Sequence, residues 1–156
     1  MAEMNIREAL LMATEIEKAV KEFYVRSSLS VASQELRILF HEISKDETSH
    51  ILQFTGLYEE TPQNMNPNAS GYSSDFLIHL IDLEPILKKL EHMPTTVDGL
   101  LEAAIETEKN SILFYTELKN HLLERHSHDA IEKILHDEKR HFVSLSEKLK
   151  DMAGLQ

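Results

Sequence analysis

An all-α chain folded as a bundle of four long helices, built from two duplicated antiparallel hairpins joined by a long, partly helical crossover, is the architecture this sequence predicts. Three observations predict it. Only four glycines and four prolines occur in 156 residues, so helix breakers are scarce. Apolar residues recur at helical spacing in four long blocks. The first pair of blocks repeats in the second pair at a constant offset of 91 residues. A chain of this length buries a core on its own, so one domain over 1–156 is expected, divided into a hairpin at 5–58, a crossover at 59–94 and a hairpin at 95–152.

The first block runs from about Asn5 to Ser30, with Leu10, Ala13, Glu17, Val20 and Tyr24 on one stripe. The second covers Ser33 to Tyr58 and aligns Leu36, Phe40, Ile43, Glu47, Ile51 and Phe54. The third opens at Thr95, where Thr95 and Asp98 read as a capping box, and carries Leu101, Ala104, Glu108, Ser111 and Tyr115 as far as about Arg125. The fourth, from Ser127 to Met152, aligns Ile131, Ile134, Glu138, Phe142 and Leu145. Short turns join the blocks within each pair, which makes each pair a hairpin. Between the pairs, "EETPQNMNPNASGYSSD" reads as a loop, and an apolar segment from Ser74 to His92 follows, interrupted by Pro85. Its apolar side (Phe76, Leu77, Leu80, Ile81, Leu83 and Leu87) covers the bundle or packs on a second subunit, and a homodimer is expected.

The repeat relates the halves. Shifting "TEIEKAVKEFY" (14–24) by 91 lays it on "IETEKNSILFY" (105–115), so that Glu15, Glu17, Lys18, Phe23 and Tyr24 meet Glu106, Glu108, Lys109, Phe114 and Tyr115. The same offset carries Asp46, Glu47 and His50 onto Asp137, Glu138 and His141. One gapless offset fits both segments, and an internally duplicated hairpin explains it economically.

Composition narrows the function. A net charge of −11 argues against a nucleic-acid or anionic-membrane partner. With no cysteine there is no disulfide, thiolate nucleophile or cysteine-ligated metal, which suits the cytoplasm. The charged N-terminal segment does not read as a signal peptide, and no stretch approaches the roughly 20 apolar residues of a membrane span.

The residues that carry chemistry stand where the pattern calls for leucine. Glu17, Glu47, Glu108 and Glu138 all lie on apolar stripes, and buried carboxylates without partners are costly. Either they are protonated or cations lie between them. Lys18, Lys21, Lys109 and Arg140 fall off the stripes and do not suit as partners. Two divalent ions would balance four carboxylates, and His50 and His141, each about 60° round its helix from Glu47 or Glu138, add neutral nitrogen donors. A single Glu-x-x-His pair carries little weight in so Glu- and His-rich a chain. The weight comes from the repeat and from the stripe glutamate 30 residues before each pair. Tyr24 and Tyr115 are core aromatics whose hydroxyls can also reach a ligand carboxylate of the other hairpin. Glu15 and Glu106 read as solvent-facing. So do His41, His79, His92, His121, His126, His128 and His136, and the run Glu124–Asp129 reads as a solvated turn.

Glu…Glu-x-x-His…Glu…Glu-x-x-His on a duplicated hairpin resembles the ferritin-like di-iron carboxylate superfamily. The two "FY" sites and modest length are most similar to its rubrerythrin-like group, over residues 5–58 and 95–152. The resemblance implies that Glu47 and Glu138 bridge two metals, that Glu17 and Glu108 are terminal ligands, and that His50 and His141 each cap one ion. Two features depart from rubrerythrins: there is no cysteine for a rubredoxin domain, and Ser111 stands where those proteins carry an additional glutamate. Electrons would then come from an external donor protein or small reductant. Four activities remain open on the sequence: reduction of hydrogen peroxide or dioxygen at an iron pair, with Tyr24 and Tyr115 as candidate catalytic residues; ferroxidase iron handling; peroxide disproportionation by manganese; and a structural metal bundle. Two iron ions are the expected cofactor, and manganese or zinc would suit the same donors.

Overall fold

The computed structural model describes residues 5–63, 88–122 and 124–154. Four long helices carry the chain: α1 (Ile6–Ser30), α2 (Gln34–Glu60), α3 (Val97–His121) and α4 (Arg125–Gly154). No strand occurs among the described residues, and no helix there is long and apolar enough to cross a membrane. Most of the expected crossover lies outside the described residues, including Phe76, Leu77, His79, Leu80, Ile81, Leu83, Pro85 and Leu87. Within its described part, residues 88–91 are helical, and Arg26 of α1 donates to the carbonyls of Leu90 and Glu91.

Local chemistry sets the helix ends. Asn5 accepts from the Glu8 N–H and Glu8 returns a carboxylate to the Asn5 N–H, a complete capping box. Ser33 caps α2 through the Leu36 N–H. At the far end of α2, Arg7 donates to the carbonyls of Tyr58 and Thr61 and lies 4.0 Å over the Tyr58 ring, tying the start of α1 to the end of α2. On α3 the cap is Thr96 rather than Thr95, because Thr96 Oγ1 receives the Gly99 N–H. A side chain at Gly99 would meet that oxygen at 2.9 Å and Pro94 Cβ at 3.0 Å, so glycine is what lets the cap close. The expected turn over 124–129 is also displaced: Glu124 accepts from the His128 N–H, and α4 is already helical from Arg125.

Long-range side-chain pairs define the packing. Tyr24 reaches Glu108 while Tyr115 reaches Glu17, so one position rises as its partner falls and α1 and α3 run antiparallel. His50 with Asp137 and His141 with Asp46 place α2 and α4 antiparallel in the same way. With the two hairpins, this makes a four-helix bundle with internal two-fold symmetry matching the 91-residue repeat. The stripes face inward, with one consistent difference. Ile51 and Phe142, themselves 91 apart, are only half-buried, because His50 and His141 take the inner positions beside them. Two histidines depart from their expected solvent exposure. His121 is half-buried against Glu117, and His128 turns back to the Leu122 carbonyl. His41, His92, His126 and His136 are exposed.

Leu101 is fully buried in the core shared by the hairpins, whereas Leu29 is 79% exposed. Leu101→Ala is expected to lower the unfolding free energy by about 2–5 kcal/mol, and Leu29→Ala to change it by no more than about 0.5 kcal/mol. Urea denaturation of both variants checks this.

Candidate metal centre

Halfway along the bundle each helix turns one glutamate inward: Glu17 from α1, Glu47 from α2, Glu108 from α3 and Glu138 from α4. The i to i+3 spacing on α2 and α4 adds His50 and His141 to the same inner face. None of the six residues is more than 2% exposed. They fall into two overlapping groups. Glu17, Glu47, His50 and Glu138 form one; Glu47, Glu108, Glu138 and His141 form the other. Within each group, the donor atoms lie within 4.8 Å of one another. Glu47 and Glu138 belong to both.

The imidazoles are oriented alike. His50 Nδ1 points into the cluster, 3.0 Å from Glu47 Oε2, 3.0 Å from Glu138 Oε1 and 3.6 Å from Glu17 Oε2. His141 Nδ1 lies 3.5 Å from Glu47 Oε1 and 3.6 Å from Glu108 Oε2. The outer nitrogens meet aspartates of the opposite hairpin: His50 Nε2 lies 3.3 Å from Asp137 and His141 Nε2 lies 2.9 Å from Asp46. When a ring is neutral, a carboxylate there favours the proton on Nε2 and so leaves the Nδ1 lone pair free to face a cation. Sequence reasoning passed over these two aspartates, although the repeated Asp-Glu-x-x-His contained them. Tyr24 and Tyr115 donate to Glu108 Oε1 and Glu17 Oε1 respectively, each across to the other hairpin. Ser111, one turn beyond Glu108, is buried and brings no charge.

Among the described residues, no lysine or arginine forms an ion pair with the four glutamates. The alternative of buried glutamates neutralised by lysine or arginine is not met among the described residues. Lys18 lies on exposed Glu15, Lys89 on exposed Glu106, and Lys109 over the Phe142 ring. Glu17 Oε2, Glu47 Oε1, Glu108 Oε2, Glu138 Oε1 and His141 Nδ1 are buried without a well-formed hydrogen bond. Such atoms are expensive to leave unsatisfied. They are also the atoms that face one another across the cluster, so the donor set fits a pair of shared cations.

Without cations, protons must bind the cluster together. Burial, and then the charges of Glu17 and Glu138, push Glu47 well above the ordinary carboxylate range. Glu138 is pushed up in the same way by burial and by Glu108 and Glu17. Burial also works to raise Glu17, but hydrogen bonds with Glu47, His50 and Tyr115 outweigh it and hold Glu17 below its ordinary value. For His50 the sign reverses. Burial opposes its charge, yet Glu138, Glu17 and Glu47 overcome that and hold the proton on the ring. His141 is raised similarly, burial being outweighed by Glu108 and Asp46. Burial and the facing glutamates raise both tyrosines, which therefore stay protonated donors.

Two outcomes follow. The metal-free fold holds protons on Glu47, Glu138, His50 and His141 that the unfolded chain releases above pH 4.5 for the glutamates and above pH 6.5 for the histidines. Its stability is therefore expected to fall as pH rises through and beyond those values. Metal binding displaces the same protons, so affinity should rise with pH over the same range. Thermal melts of metal-free and metal-loaded protein across that range check both signs. Separately, Glu47→Ala or Glu138→Ala should abolish retention of an ion pair, because each removes a carboxylate common to both groups. Two tightly held metals after desalting, counted by elemental analysis in either variant, would exclude that assignment.

The chain matches no described protein family and no curated protein in sequence. It is similar in structure to a candidate ferritin-like diiron-carboxylate protein from Thermotoga maritima, with a TM-score of 0.75 and 24% sequence identity, over 97% of this chain and 99% of that one. The likeness extends over both hairpins, and the fold of this chain is the ferritin-like helical bundle.

Proposed function

We propose that this chain is a non-haem di-iron protein that reduces hydrogen peroxide, or dioxygen, at a carboxylate-bridged iron pair, with electrons supplied by an external donor protein. The observation that carries the reading is the overlap of two enclosed donor groups on Glu47 and Glu138. Overlap would bring two cations side by side, and a ferrous pair held by these residues would supply two electrons at one place. Each group offers three carboxylates and one imidazole, a hard, oxygen-rich set that suits iron and also accommodates manganese or zinc. The Thermotoga protein of the same fold is described as a candidate ferritin-like diiron-carboxylate protein, which agrees.

The chain's own residues would serve that chemistry in distinct ways. Glu17 and His50 would hold one ion and Glu108 and His141 the other, with Glu47 and Glu138 between them. Tyr24 and Tyr115 fix the rotamers of the terminal glutamates from the opposite hairpin, and each holds a proton on its hydroxyl beside a ligand oxygen. Phe23 and Phe40 pack on the Tyr24 ring, and Phe54 and Phe114 on the Tyr115 ring, which holds both tyrosines in apolar surroundings. With no cysteine in the chain, no cysteine-ligated electron relay can be built from it. The reading extends to a cytoplasmic homodimer without nucleic-acid or membrane partners.

The deciding experiment loads the protein anaerobically with two Fe(II) per chain and follows oxidation by limiting peroxide and by dioxygen in a stopped-flow spectrometer. Much faster oxidation by peroxide, with iron retained, is expected. Faster oxidation by dioxygen followed by loss of Fe(III) would replace this reading with ferroxidase iron handling.

A further inference from the structure

A guanidinium at the edge of the centre breaks its two-fold symmetry. Arg140, the residue before His141, donates from Nη2 to Asp46 Oδ2 at 2.9 Å and to Asp137 Oδ1 at 2.9 Å. The position 91 residues earlier is Ser49, whose hydroxyl is occupied by Gln53. One guanidinium from the second repeat thus serves both aspartates, and those aspartates hold the outer nitrogens of both imidazoles. Asp46 and Asp137 are about one-third exposed and Arg140 is 54% exposed, so the three form a surface cluster against the outer nitrogens of the histidines. Asp46 lies on the first hairpin and holds the histidine of the second; Asp137 does the reverse. Arg140 therefore joins the two halves at a single nitrogen.

We propose that Arg140 is a positioning residue shared by both metal subsites, holding Asp46 and Asp137 so that His141 and His50 each present Nδ1 inward at the same time. The proposal rests on the reading of the six-residue cluster as a metal centre. Geometry and charge make opposite demands here, which makes the idea testable. Arg140 carries a positive charge near two bound cations, so a role through charge alone would let both ions bind more tightly once that charge was removed. Loss of positioning weakens both, because a carboxylate that no longer fixes the ring leaves the imidazole free to turn; losing such an outer partner typically costs about 10- to 100-fold in metal affinity.

The test is an anaerobic titration with Co(II) alone, followed by its visible ligand-field bands, on the full chain and on Arg140→Gln, Asp46→Ala and Asp137→Ala. Arg140 is 54% exposed, so Arg140→Gln should fold, and its metal-free melting curve checks this. Wild type is expected to take two ions. In Arg140→Gln both should bind about 10- to 100-fold more weakly, with displaced bands. Asp46→Ala should weaken only the ion on the His141 side, and Asp137→Ala only the ion on the His50 side. Unchanged or tighter binding of both ions in Arg140→Gln, with wild-type bands, would overturn the proposal while leaving the metal centre standing. Weakening of only one ion in that variant would overturn the shared role. No Co(II) bound by wild type would remove both the centre and the inference.

Discussion

Four glutamates in the middle of a helical bundle impose the constraint on which the rest of this structure depends. Each occupies a position the apolar pattern would give to leucine, and each is sealed from water. A carboxylate in such a place must have a proton, a cation or a set of donors. The bundle provides two imidazoles and two phenols but no lysine or arginine against the four among the described residues, leaving oxygen atoms that face one another and the inner nitrogens of the imidazoles without well-formed hydrogen bonds. The centre is therefore built as the incomplete half of an ionic interaction, and cations are the complement its geometry fits.

The duplicated hairpin resolves the packing problem this creates. Each half carries one inward glutamate on its first helix and a Glu-x-x-His pair on its second, and the tyrosine and aspartate contacts to these ligands cross to the other half. Tyr24 and Tyr115 exchange glutamates, and Asp46 and Asp137 exchange histidines. Neither hairpin completes a donor group alone, since each group draws on both. Bundle assembly and centre assembly are consequently the same event. The price in stability of gathering the acids falls on the metal-free state.

The helices and the six inward donors were legible because both rest on short-range regularities. A period near 3.6 residues marks the buried face, and an unbroken offset of 91 shows that the glutamates on that face are not accidental. Errors arose where one residue of register is decided by a competing contact. Thr96 displaced Thr95 as the α3 cap because Gly99 leaves room for its hydroxyl. Ile51 and Phe142 yielded the inner face to the histidines beside them. The polar run at 124–129 joined α4, since its backbone bonds begin at Glu124 and its polarity suits an exposed first turn. His121 and His128 were missed because their burial depends on the α3–α4 turn, which has no periodicity to read.

The sequence by itself determined the fold class, the four helices, the duplication and the six inward-facing donors, because each follows from spacing along one chain. Tertiary structure alone decided which donors share a group, which nitrogen of each histidine faces inward, and that Asp46 and Asp137 reach across to the opposite hairpin. Those outcomes depend on how antiparallel helices register against one another, and no local pattern encodes that register. Arg140 shows the difference most plainly. In the sequence it is a charged residue on an exposed helix face; in the bundle its guanidinium touches both aspartates.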